Sequence, residues 1–571
     1  MRRYLNPQPP TPVQQHVYSI SGTFAQLGVK QVVICPGSRS APLVAAFTRD
    51  SAFTCSTVVD ERSAAFIALG MAQQLQEPVI LICTSGTAVL NFYPAVAEAF
   101  YQHIPLIILS ADRPPELLDQ QDGQMIHQVK VFGKHVLLAE NLPDYAIGKE
   151  NFKLTATIAR QAFQTAMGLP KGPVHINIPL HEPLYKISSK LPAIPSMKPE
   201  KRNQNKPIPD FTGLKNAWEQ CGKRLILLGQ GPVSDKLFTA LYRIKKQQNA
   251  VIMCDPASNQ FSFNTTSRFD TMLSQANFKT LEMLQPDCIV SAGGPLVSKT
   301  LKLWLKNHKP KFAFRIRTES ARVDTYNHKP TYLDCEVHDV LNLLNNITCK
   351  KPATAFAYMQ LWETAGLSAE MAMNQFLNRN EFSELHATRM VLNQIPDAVN
   401  LHIGNSSVIR YVSLLGELNP SWTVHSNRGT SGIDGCSSTA VGAAAVNNKM
   451  TVLLTGDLGF LYDKNAFWNN LVQNNLRIIV INNGGGGIFS LIDGPGQHPE
   501  NLPFFTTPHH QNIRLTALDN NLEYYFCDSA ESLKQQLNSF FQPGEKSAVL
   551  EIQSNMKHNA SVFKRFKKIT L

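Results

Sequence analysis

The sequence predicts an α/β protein of three doubly wound parallel-sheet domains, and three observations carry that reading. Runs rich in Val, Ile and Leu alternate with helical patterns through the first part of the chain: QVVICPGS from Gln31, PVILICTSGT from Pro78, PLIILSADRPP from Pro105 and GPVHINIPL from Gly172. That alternation is the grammar of βαβ units. A second set of such runs follows at Leu225 to Gly231, Val251 to Asp255, Cys288 to Gly294 and Lys311 to Ile316. At 571 residues the chain also exceeds what one compact core can organise.

Boundaries follow from composition. The first α/β domain spans 1–187, and the Pro-rich polar stretch 188–209 reads as a linker. The central α/β domain occupies 210–348. A stretch of helical periodicity from Lys351-Pro352 through Phe376 then leads into the last α/β domain, within 349–571.

Hydrophobic residues make up 43% of the chain and charged residues 17%, enough to bury real cores. Residues Met1 to Pro12 have no apolar export core, and no apolar run is long enough to cross a bilayer, so a cytoplasmic protein without membrane insertion is expected. Ten scattered cysteines, with no C-x-x-C pair, read as reduced thiols. The net charge of +11 suits nucleic acid, a membrane surface or anionic small substrates, and composition does not choose among them. Its one dense cluster, Lys564 to Lys568, reads as a solvated helix end.

The most informative segment is TVLLTGDLGFLYDKNAF, Thr451 to Phe467, followed by IIVINNGGGGI, Ile478 to Ile488. Each begins as a buried parallel strand. The first strand delivers Asp457, a hard oxygen ligand, to the carboxyl edge of its sheet, and the second delivers Asn483. Gly484 to Gly487 then leave room for a diphosphate to approach the backbone. A plain Asx turn and a flexible glycine loop are the competing readings. Upstream, Asp60-Glu61-Arg62 follows the strand pattern TCSTVV, where acids at a helix N-terminus also satisfy the dipole.

An acid, a helix-length gap and then Asn-Asn-Gly after another strand resembles the cofactor motif of the thiamine-diphosphate enzyme superfamily. The resemblance implies that Asp457, Asn483 and the carbonyl of Gly485 bind the metal, magnesium or alternatively manganese. Leu458, Gly486, Ile488, Phe489 and Ser406 would contact the cofactor, with Ile433 as an apolar wedge beneath it. Glu61 occupies the place of the glutamate that protonates the aminopyrimidine in most of the superfamily.

Longer motifs narrow the resemblance. CPGSRSAPL at Cys35, TSGTAVLNFYPAVAEA at Thr84, ADRPPELLDQQDGQMIHQ at Ala111, GNSSVIR at Gly404 and SNRGTSGIDG at Ser426 are similar to the family of 2-succinyl-5-enolpyruvyl-6-hydroxy-3-cyclohexene-1-carboxylate synthases of menaquinone biosynthesis. That family decarboxylates 2-oxoglutarate and adds the four-carbon unit to isochorismate. Both substrates are dicarboxylates, which planar Arg forks bind in bidentate fashion. Arg39, Arg113, Arg410, Arg428 and Lys299 stand at family-matching positions, with Ser38, Gln124 and Ser406 as hydrogen-bonding partners. Out of that context each cation would read as a surface ion pair. The family's common Lys-Arg pair appears here as Lys299-Thr300. Asp112 and Asp434 read as structural acids in turns.

The resemblance further implies a homodimer, or a homotetramer built from dimers, with active sites between subunits. Two rivals are another thiamine-diphosphate 2-oxoacid decarboxylase or carboligase, and a non-catalytic basic relic that binds nucleic acid. Gly-Asp-Leu at 456–458 together with PGSRS and SNRG disfavours the first, and the intact Glu61, Asp457 and Asn483 the second.

Overall fold

The computed structural model describes residues 11–12, 14–145, 151–185, 187–188, 209–262, 265–266, 268–317, 322–379, 382–491, 494–495 and 498–569. Nearly all of the linker expected at 188–209 lies outside the described residues. The described residues contain three larger parallel sheets and one short antiparallel pairing of Thr11–Pro12 with Ile187–Ser188.

The first sheet has strands β1 (Gln31–Ile34), β2 (Thr54–Thr57), β3 (Val79–Cys83), β4 (Leu106–Asp112), β5 (Leu138–Asn141) and β6 (Val174–Pro179), in spatial order β2-β1-β3-β4-β6-β5. Its pairings are parallel. Every residue of β3, β4 and β6 is buried, as expected of strands covered on both faces. The edge strand β5, Leu-Ala-Glu-Asn, is half-exposed and has no apolar run that would announce it. Helix α1 (Glu61–Leu75) comes after β2, and helix α2 (Tyr93–Gln102) lies between β3 and β4.

The central sheet comprises β7 (Arg224–Leu228), β8 (Val251–Cys254), β9 (Cys288–Ala292), β10 (Phe312–Arg317) and β11 (Thr331–Asp334), ordered β8-β7-β9-β10-β11 and all parallel. Helix α3 (Lys299–Asn307) follows β9, and the long helix α4 (Pro352–Arg379) occupies the stretch whose periodicity predicted it. Helix α5 (Glu384–Leu392) comes next.

The third sheet contains β12 (Asn400–Ile403), β13 (Thr423–His425), β14 (Thr451–Gly456), β15 (Leu476–Asn482), β16 (Glu523–Cys527) and β17 (Ala548–Gln553), in order β13-β12-β14-β15-β17-β16. Helix α6 (Ser407–Leu415) follows β12, α7 (Cys436–Ala445) lies between β13 and β14, and α8 (Asp457–Tyr462) continues from β14. By contacts the chain forms two compact units. One holds the first sheet with 427–448 and 462–476; the other holds the central and third sheets. Among the described residues no helix is long and apolar enough to cross a membrane. All ten cysteines are free.

Candidate active site

In the first unit Glu61 is the opening residue of α1, and both of its neighbours are pinned. The Asp60 side chain caps the helix by accepting from Ser63 N at 3.2 Å and also takes Asn465 Nδ2 at 2.8 Å. Arg62 donates to the Tyr462 carbonyl at 3.0 Å and stacks 4.7 Å over the Tyr462 ring. Helix α1 meets α7 backbone to backbone: a Cβ on Gly70 would lie 2.0 Å from the Thr439 carbonyl oxygen, and one on Gly442 2.0 Å from that of Ile67. Only glycine fits at such a crossing.

Glu61 lines a cleft of about 370 Å³ with Gly37, Thr84, Ser85, Gly86 and Gln124. Burial raises its carboxyl pKa above the ordinary value, Asp60 adds to the shift, and a backbone hydrogen bond opposes it. Thr84 Oγ1 and Ser85 Oγ are buried in this wall without a hydrogen-bond partner among the described residues. Gln124 sits at φ 57, a conformation that costs a non-glycine residue energy and recurs at ligand clamps. Close by, Gln128 Oε1 accepts from Gly86 N at 2.8 Å while its Nε2 donates to Ala111 O and Asn177 Oδ1, so one buried amide ties the Gly86 turn to the sheet.

Ser38 is exposed at the mouth of the first βα turn. Arg39 beside it is buried, donating to Leu180 O at 2.9 Å and lying 3.3 Å from Glu182, with Nε without a partner among the described residues. Burial and the charge of Arg113 lower its pKa. Arg113 pairs with Asp122 at 3.3 Å and donates to Gly123 O. Arg428 and Ile433 are half-buried on one loop. Glu98, fully buried on α2, accepts from Gly429 N at 2.7 Å, from Thr430 N at 2.6 Å and from Thr430 Oγ1 at 2.5 Å, which fastens that loop.

In the second unit Asp457 closes the carboxyl end of β14. Its Oδ1 accepts from Leu458 N at 2.8 Å and its Oδ2 from Gly485 N at 2.9 Å and His509 Nε2 at 3.1 Å. Burial raises its pKa while these donors pull it down. Gly485 adopts φ 154, and a Cβ there would meet the Thr506 carbonyl at 2.4 Å. The Gly485 carbonyl accepts from Gly487 N at 3.0 Å, and Gly486 N donates to Thr506 O at 2.6 Å. Ile488 is buried, Leu458 and Phe489 are half-buried, and Phe489 packs on Phe505 with centroids 5.6 Å apart.

Asn483 Nδ2 donates to Glu384 at 2.5 Å, and Asn483 Oδ1 is buried with no hydrogen-bond partner among the described residues. A carboxylate, an orphaned amide oxygen and a glycine backbone make a hard oxygen set, which fits a magnesium-like cation. The same set excludes a soft-metal site.

Ser406 stands at the N-cap position of α6 at φ 79 without a side-chain capping bond, and its carbonyl accepts from the Arg410 guanidinium. Lys299 is exposed at the start of α3. Thr300 turns its hydroxyl toward Asp270, a buried carboxylate that also takes Ser298 Oγ at 2.8 Å and Ser413 Oγ at 3.1 Å. The position that often carries a second cation is therefore used internally.

Four residues escaped sequence reasoning: Glu98, Gln128, Glu384 and His509. Their partners lie far off in the chain, and Glu98 and Gln128, though inside quoted motifs, carry no signal of their own there. Asp112, read as a turn acid, instead ends β4; it is buried and accepts from Asn177 Nδ2 at 2.7 Å. Asp434 is half-buried in the loop before α7.

Parallel sheets in this arrangement, with a glycine-rich loop beside the buried Asp457, define a thiamine-diphosphate enzyme. Residues 18–131 match the family model "Thiamine pyrophosphate enzyme, N-terminal TPP binding domain", and 218–403 match "Middle domain of thiamine pyrophosphate". The fold is shared with the crystal structure of benzoylformate decarboxylase from Polynucleobacter necessarius, at TM-score 0.72 and 16% identity over 95% of this chain and 98% of that one. Closer relatives are 2-succinyl-5-enolpyruvyl-6-hydroxy-3-cyclohexene-1-carboxylate synthases. That of Cytophaga hutchinsonii is 38% identical, covering 97% of this chain and 98% of its own length. That of Desulfotalea psychrophila is 36% identical over 91% and 94%. The chain belongs to this synthase family.

Proposed function

We propose that this protein decarboxylates 2-oxoglutarate and adds the resulting four-carbon succinyl unit to isochorismate, releasing carbon dioxide, with thiamine diphosphate and magnesium as cofactors. The observation that carries this reading is the cradle of Asp457, Asn483 and Gly485, with its buried and unpartnered amide oxygen. When bound, thiamine diphosphate supplies a nucleophilic carbon and an electron sink for decarboxylation. Asp457, Asn483 Oδ1 and the Gly485 carbonyl hold the metal. Leu458, Gly486, Ile488 and Phe489 shape the walls around the diphosphate, Ser406 contributes a hydroxyl, and Ile433 supports the rings.

Glu61 would exchange a proton with the aminopyrimidine nitrogen, and burial raises its carboxyl pKa above the ordinary value, which favours the protonated form. Arg39, Arg113, Arg410, Arg428 and Lys299 take the substrate carboxylates. A guanidinium stays charged when desolvated, so Arg39 retains its cation although buried. Ser38 and Gln124 donate hydrogen bonds to the substrate oxygens.

Family resemblance supports a homodimer, alone or paired into a tetramer, in which Glu61 of one copy serves the metal cradle of another. Ten free cysteines suit a reducing, cytoplasmic setting. The test is a spectrophotometric assay with thiamine diphosphate, magnesium, 2-oxoglutarate and isochorismate. Cofactor-dependent loss of isochorismate with an adduct of the expected mass supports the reading; no loss despite bound cofactor rejects isochorismate as acceptor. For the subunit arrangement, mixing inactive Glu61→Gln and Asp457→Ala proteins should restore part of the activity, and a mixture that stays dead counts against shared sites.

A further inference from the structure

Glu384 opens α5 and is buried to 2% exposure, yet no cation pairs with it among the described residues. One carboxylate oxygen takes Asn483 Nδ2 at 2.5 Å and the other takes the Tyr411 hydroxyl at 2.9 Å. Its own backbone amide is anchored on Asn559 Oδ1 at 3.0 Å. The Tyr411 hydroxyl occupies one carboxylate oxygen and the Asn483 amide donates to the other, which sets the amide with its nitrogen toward Glu384 and its oxygen away. Flipping it would press two acceptors together at 2.5 Å in a buried setting, where an unmet polar group is costly. Gly487 lies close to the same amide nitrogen, since a Cβ there would fall 2.5 Å from Asn483 Nδ2.

We propose that Glu384 is a positioning residue for the divalent cation: it locks the Asn483 amide so that Oδ1, otherwise unpartnered, faces the metal. The inference rests on the reading that Asp457, Asn483 and Gly485 form the metal cradle. Groups that orient a ligand in this way typically change metal affinity by about 10–100-fold when removed.

The experiment is a magnesium titration of thiamine-diphosphate uptake by the full-length protein, followed by quenching of intrinsic fluorescence, with the melting temperature of the cofactor-free protein measured alongside. Glu384→Met, which keeps the volume and loses the acceptor, should raise the half-saturating magnesium concentration at least about tenfold. Glu384→Gln, whose carboxamide oxygen still accepts from Asn483 while its nitrogen donates to Tyr411, should stay within about threefold. In an Asn483→Ala background the Glu384→Met change should have no further effect. If Glu384→Met does not fold, Glu384→Ala is read in the same titration. A lowered melting temperature with unchanged magnesium dependence in every Glu384 variant overturns the proposal and leaves a purely structural acid. Unchanged magnesium dependence in Asp457→Ala would instead overturn the cradle reading itself.

Discussion

The first and third sheets share one topology and carry different chemistry. Numbering strands within each, both are ordered 2-1-3-4-6-5. In both, a Ser and an Arg follow the first strand, Ser38-Arg39 in the turn after β1 and Ser406 with Arg410, the latter inside α6, after β12. After the second strand stand Glu61 in one and Arg428 in the other. The third strands separate them further, since β3 runs into Thr84-Ser85-Gly86 and β14 into Asp457. The fourth strands end at Asp112-Arg113 and at Asn482-Asn483. Equal scaffolds thus deliver side chains to equivalent carboxyl edges, where ligands of open α/β sheets bind, and function depends on which residues occupy those edges.

The sharpest way to break the comparison is Glu61→Gln. It should abolish turnover, a loss of at least about 100-fold, while magnesium-dependent cofactor uptake and the melting temperature stay near wild type. Retained activity would remove the first sheet's distinctive role. Asp457→Ala should do the reverse in binding terms, losing magnesium-dependent uptake and activity together, as calorimetric titration would register.

Next in size is the shared Ser-Arg feature. Arg39→Lys should raise KM for 2-oxoglutarate about 10-fold with a smaller change in kcat, because an ammonium cannot reproduce the fork's two parallel hydrogen bonds. An equal fall in kcat and kcat/KM would assign Arg39 to the transition state instead.

The smallest effect is acid sensitivity, which both sheets should show. Burial pushes His175 in β6 down to about 3, and burial together with the neighbouring His425, 4.9 Å away ring to ring, holds His402 in β12 well below the ordinary range. Each imidazole stays neutral in the fold while the unfolded chain takes up a proton below about pH 6.5. Stability is therefore present at neutral pH and declines as pH falls, by about 2 kcal/mol for His175 at pH 5. Thermal melts from pH 7 to 5 should slope accordingly, and His175→Gln should flatten the slope; an unchanged slope would mean His175 is protonated in the fold.

Much of the scaffold was legible because interior parallel strands are nearly pure apolar runs: Val79–Cys83, Leu106–Asp112 and Leu476–Asn482 are buried throughout. The edge strands β5 and β13 were not, being short and partly polar. Candidate site residues stood out where they belonged to contiguous motifs, as Glu61, Asp457 and Asn483 do. Glu384, by contrast, reaches Asn483 across 99 residues of sequence, and no local pattern could announce a contact made only by folding. Asp112 misled for a related reason, since a polar residue at the end of an apolar run looks like a turn until its buried partner Asn177 is known.

The crossing of α1 and α7 at Gly70 and Gly442 limits how this lineage can vary. Because the two helices touch through peptide groups, the place of Glu61 is specified by atoms that are missing, and any side chain added at either glycine wedges the pair apart. Change there is all-or-none: neutral drift, which can reshape the helix surfaces freely, has no small step to take at these two positions.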